Sequence, residues 1–151
     1  MGMDDRRSRD EGGWTLLELV LTVSLIGLLA ALAAPSFHQI GERLERKLTL
    51  DSLASDIRLA QREAESREAV TELRIDPSGG GYRVVRGGKA IRRASVRPRY
   101  RLTSNYPSGR ILFRPSGQVR GGTVWLERDG KRVGRVVIQV ASGRPRVEVD
   151  P

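Results

Sequence analysis

Few residues in this chain could do chemistry, and the first is Glu18. From Trp14 to Ala34 the sequence runs WTLLELVLTVSLIGLLAALAA, and Glu18 is its only charge. Insertion scales put an acid at mid-membrane at about 2.5 to 3.5 kcal/mol, so an acid in an apolar helix is a functional candidate that calls for a cation. The second group is Gly143-Arg144-Pro145-Arg146 near the C-terminus. A guanidinium fork can donate two hydrogen bonds to one phosphate, and Pro145 between the two arginines would stiffen the turn. Arg97, Arg99 and Arg101 also alternate, which in an extended segment would place all three on one face. Catalytic candidates are lacking. His38 is the only histidine, there is no cysteine, and no serine has a histidine base at hand. The glycine-rich stretches Pro77–Gly81 and Arg86–Lys89 lack P-loop spacing. We expect no enzyme activity, no metal and no cofactor.

The elements that carry these residues follow from periodicity. Residues 14–35 are long and apolar enough for a helix to span the ~30 Å hydrocarbon core of a bilayer. Residues 1–13 are polar, with Arg6, Arg7 and Arg9 offset by Asp4, Asp5, Asp10 and Glu11. A cleavable signal peptide ending at the Ala31-Leu32-Ala33 motif is a competing reading. Against it stand the weakly basic start, Glu18 within the run, and the pattern beyond Pro35. There Phe37, Ile40, Leu44, Leu48, Leu53, Ile57, Ala60 and Ala64 fall at spacings of three to five, predicting an amphipathic helix over 36–68. Pro35 is then a kink inside one helix of roughly fifty residues.

From Val70 the period becomes two. Strands are expected at 71–75, 82–86, 99–102, 110–113, 123–128, 135–140 and 146–149, separated by Gly, Pro, Ser and Asn clusters. Asp129-Gly130 predicts a hairpin turn. The strands need an apolar surface, and the inner face of the helix over 37–68 supplies it. The expected class is α+β, an antiparallel sheet packed on a helix.

Composition sets outer bounds. The 151 residues suffice for one small domain beyond the apolar segment. With 27 basic against 18 acidic side chains, the formal net charge is +9, almost all of it arginine. This is weak evidence for an anionic partner, since an arginine-rich genome produces the same skew.

Gly13-Trp14-Thr15-Leu16-Leu17-Glu18 resembles the prepilin-type cleavage motif of type IV pilins and type II secretion pseudopilins. In that class a membrane peptidase cuts after the glycine and methylates the new N-terminal residue. Glu18 is fifth counting from Trp14, and Pro35 is twenty-second, where the class commonly has its kinking proline. Trp14 departs from the usual Phe but keeps its bulk and apolar face. Leu53–Ala64 resembles the amphipathic helix of GspH/FimT pseudopilins. Ile111–Gly117, Thr123–Leu126 and Val136–Ile138 ahead of Gly143-Arg144 resemble that family's strands.

The resemblance implies a leader at 1–13, a transmembrane assembly helix at 14–35 and a periplasmic head at 36–151. It implies a single-pass inner-membrane protein that later joins a pseudopilus or pilus tip. Its partners would be prepilin peptidase, other major and minor pseudopilins, and the inner-membrane assembly platform. Cleavage would give Trp14 an α-amine, and Glu18 would pair with such an amine in its own chain or a neighbour's. The plainer reading of Glu18 is a carboxylate tolerated near a helix N-terminus. Part of the family takes up DNA through a GRxR motif, which Gly143, Arg144 and Arg146 match. The alternative there is a solvated arginine turn.

Overall fold

In the computed structural model, residues 15–140 and 142–150 are described, apart from the side chains of 33–39. The leader, Gly13 and Trp14 lie outside the described residues, as do the side chains of Pro35, Phe37 and His38. One helix, α1, runs Leu16–Ser66, 51 residues, and its assignment continues through Pro35. The chain divides within this helix into two units, Met1–Ile40 and Gly41–Pro151.

The first unit is helix throughout its described part beyond Thr15. Thr15 caps it: its Oγ1 accepts the backbone N–H of Glu18 at 3.2 Å, meeting one of the four donors that a helix start leaves open. Leu16, Leu17, Leu19, Val20, Leu21, Val23, Leu25, Ile26, Leu28, Leu29 and Leu32 are all exposed. Among the described residues no helix is long and apolar enough to cross a membrane. The expected span at 14–35 extends beyond them at Trp14 and in the side chains from Ala33 onward.

In the second unit the rest of α1 meets eight strands: β1 Thr71–Ile75, β2 Gly81–Arg86, β3 Lys89–Ser95, β4 Arg101–Ser104, β5 Arg110–Phe113, β6 Gly122–Arg128, β7 Lys131–Ile138 and β8 Pro145–Val149. They form two antiparallel four-stranded sheets, ordered β3-β2-β1-β5 and β4-β6-β7-β8, where sequence had suggested one. Alternation is clear where one face is covered. In β1, Thr71, Leu73 and Ile75 are buried, and in β6 Val124 and Leu126. The Asp129-Gly130 hairpin is present, with φ of 50° and 74°. Such a turn needs left-handed backbone at both central positions.

A single core joins helix and sheets. Leu50, Leu53, Ala54, Ile57, Ala60 and Ala64 lie buried on one face of α1 with Leu73, Val84, Ile111 and Phe113 from the first sheet and Leu102, Val124, Leu126, Val136 and Ile138 from the second. The expected stripe is correct from Leu53 onward and fails at Ile40, Leu44 and Leu48, which are more than half exposed. The step from Leu48 to Leu53 is five residues, which turns a helix by about 140°, so the two cannot share a face. Leu50 takes the place on the core side.

Polar groups tie the helix to the sheets. Asp56, buried on α1, accepts the Tyr82 hydroxyl at 2.8 Å, and Arg92 of β3 stands 3.4 Å away. Desolvation, then the hydrogen bond and charge of Asp56, push Tyr82 well above the usual phenol range. Glu63 pairs with Arg86. Tyr106 donates to the Arg120 carbonyl at 2.8 Å, and burial pushes its hydroxyl up to about 12.

Candidate functional site

Glu18 lies in the first turn of α1 with its side chain exposed. Thr15-Leu16-Leu17-Glu18 has the spacing of a capping box, and Thr15 does accept the Glu18 amide. Sequence reasoning passed over Thr15, although this Thr-x-x-Glu signal was available. Gly13 and Trp14, the expected cleavage and methylation positions, lie outside the described residues, and Pro35 is described only as backbone within the helix.

The three alternating arginines do not form a free basic face. Arg97 and Arg99 converge on Glu45 of α1, Arg97 with its Nε 3.1 Å from Oε1. Arg101 opens β4. Nearby, Arg128 Nη1 lies 2.8 Å from Glu42 Oε1, and that hydrogen bond holds the Glu42 carboxyl below the ordinary value. These pairs fasten residues 42–45 of α1 to the head. Trp125 is half-buried on β6 with the Arg132 guanidinium 4.3 Å above its ring.

The two arginines of the C-terminal motif have different neighbours. Arg146 stands on β8 with its Nε 3.6 Å from Glu148, which also binds Arg135 at 2.6 Å. Arg144 precedes β8 and lines a groove of about 520 Å³ with Arg58, Gln61, Arg62, Glu65, Ser142 and Pro145. Arg58, Arg62 and Glu65 share one helix face by their spacing of four and three. Among the described residues no ion pair engages Arg58, Arg62 or Arg144. Nothing in the linear sequence joined Arg58 and Arg62 to Arg144, because they meet only through tertiary packing.

Gly143 makes that packing. Its φ is +62°, and an added Cβ would collide with the Gln61 amide and lie 2.7 Å from Val119 Cγ1. Gln61 Nε2 donates to the Gly143 carbonyl at 2.9 Å. The glycine therefore lets the loop lie against α1, and the arginine that follows is delivered to the groove. An adjoining trough of about 740 Å³ shares Glu65 and Ser142 and is walled by Leu112, Val140, Arg114 and Arg120 among others. Among the described residues no three His, Cys, Asp or Glu side chains come together to hold a metal.

The family model for the type II transport protein GspH matches residues 49–143. No curated protein sequence matches the chain. Among solved structures, the chain is similar to the minor pseudopilin EpsH from the type 2 secretion system of Vibrio cholerae. The identity is 16% over 72% of this chain and 96% of that chain, with a TM-score of 0.60. A second EpsH structure matches at 15% identity over 70% and 96%, TM-score 0.58. The type IV minor pilin FimU of Pseudomonas aeruginosa matches at 18% identity over 73% and 91%, TM-score 0.55. At these identities the likeness is one of fold: an α+β head, helix against antiparallel sheet, of the type IV pilin kind.

Proposed function

The chain belongs to the GspH family of type II transport proteins, and from that premise we propose that it is a non-enzymatic minor pseudopilin, processed after Gly13 and assembled at or near the tip of a pseudopilus or type IV pilus in support of protein secretion. The observation that carries the reading is the joining of a GspH head, matched over 49–143, to one helix that bears Glu18 in its first turn. Gly13, immediately before Trp14, is the cleavage position for prepilin peptidase, and Trp14 the methylated residue. Residues 14–35 hold the protein in the inner membrane as a single pass, with residues 36–151 in the periplasm. Assembly then moves it through the inner-membrane platform into contact with other major and minor pseudopilins.

Glu18 acts after cleavage. The new α-amine of Trp14 is a cation near the same depth as the carboxylate, and neighbouring subunits present the same two groups. Pairing a buried charge with its opposite offsets much of its desolvation and fixes axial register. Pro35 lies where the helix can change direction between anchor and head.

Mass spectrometry of the mature protein tests this reading. A methylated Trp14 at the N-terminus is expected, and a start at Ala34 would end it in favour of a secreted domain. Glu18→Ala should be cleaved yet enter pili poorly, and normal incorporation would remove the pairing role.

A second reading is a DNA-binding minor pilin of natural transformation. The exposure of both Arg144 and Arg146 favours it. Charge removal at these two arginines should then abolish DNA binding while leaving piliation intact. Unaltered binding would refute it.

A further inference from the structure

The groove holding Arg58, Arg62 and Arg144 and the trough beside it form one surface, basic in both hollows and with exposed apolar side chains in the second. They share the wall made by Glu65 and Ser142. On one side three exposed arginines stand without a carboxylate partner among the described residues. On the other side Leu112 is 49% and Val140 78% exposed, both large apolar side chains facing water, in a trough that Arg114 and Arg120 also line. Each hollow is of a size that takes a few side chains, about 520 and 740 Å³.

A polyphosphate would meet arginines in both hollows but satisfy only part of this surface. A duplex backbone presents charge continuously, so binding across the shared wall would set phosphates beside Glu65 and leave Leu112 and Val140 without apolar partners. A protein segment that places carboxylates against the arginines and an apolar side chain in the trough satisfies both halves. Arginine forks suit carboxylates as well as phosphates, and an apolar anchor beside a charged rim is the common anatomy of protein interfaces.

We propose that Arg58, Arg62, Arg144, Leu112 and Val140 form a docking site for an extended acidic segment of another protein, one in which carboxylates flank a leucine-like residue. The site lies on the head, and it does not depend on cleavage at Gly13.

The test uses the full chain in detergent micelles at physiological salt, with fluorescence anisotropy as readout. The probe is a labelled hexapeptide, Glu-Glu-Leu-Glu-Leu-Glu. Its comparators are the same peptide with glycine for leucine and a short duplex DNA. The leucine peptide should bind, and the glycine version should bind about fivefold or more weakly. The triple change R58Q/R62Q/R144Q should weaken the leucine peptide by about tenfold or more, and Leu112→Ser or Val140→Ser by about five- to tenfold. All five side chains are exposed, so every variant should melt with the unaltered protein, and the two serine variants check one another. Absence of peptide binding, equal binding of the two peptides, or binding indifferent to both serine changes would overturn the proposal. So would DNA held more tightly than peptide through the same arginines, which would return the groove to a polyanion.

Discussion

The head uses arginine in opposite ways at the two ends of its helix. Near residues 42–45, Glu42 and Glu45 of α1 receive Arg128, Arg97 and Arg99, and the Glu45 side chain is 16% exposed. Near residues 58–65, Glu63 still holds Arg86, but Arg58 and Arg62 meet Arg144 with no carboxylate pair of their own among the described residues. Charge of one kind is an internal tie in the first region and an unspent recognition surface in the second. Net positive charge therefore says little until each arginine has been traced to its partner.

Substitutions at the two ends of the helix should have unequal effects on stability. The largest effect belongs to the core that joins the two regions: Ile57→Ala should remove about 2 to 5 kcal/mol in urea unfolding, loosening both ends together. Glu45→Gln should lower stability by about 1 to 2 kcal/mol, since Arg97 and Arg99 lose a shared partner. If it is silent, the first region is no tie. Tyr106→Phe should remove about 1 kcal/mol through its lost hydrogen bond to Arg120, and it carries a pH signature.

The folded Tyr106 hydroxyl is pushed up to about 12 while the unfolded one titrates near its ordinary value of 10. Between those values the unfolded chain holds fewer protons, so its stabilisation is complete below about pH 10 and is lost as pH rises toward 12. The Phe variant should show a shallower alkaline decline. Smallest of all, R58Q/R62Q/R144Q should change stability by less than about 0.5 kcal/mol, because these side chains hold nothing together. A larger loss would make the two ends alike.

Most strands were legible in sequence because one face of each is covered, which writes a period of two. β3 was not. Its residues Lys89–Ser95 are mostly exposed, so it exists by backbone pairing with β2 at a sheet edge and leaves no apolar rhythm to find. The pairing has a register shift between Val84 and Val85, which blurs what rhythm there is. The single-sheet expectation failed for a related reason: alternation reports that a face is covered and is silent about which sheet a strand joins. Leu44 and Leu48 misled because leucine on a helix records apolarity and not direction. At the sites, Glu18 stood out as the lone charge in an apolar run, whereas Arg58 and Arg62 are ordinary members of an amphipathic helix until folding brings Arg144 beside them.

Gly143 has a further consequence. Because it is wedged against Gln61 and Val119, residue 144 has a position set by the helix and not by its own side chain. The loop behaves as a socket whose occupant can be exchanged while the mounting stays fixed. A spectroscopic label installed at 144 would report on the groove from a known station, and chemically different side chains could be screened there on an unchanged backbone.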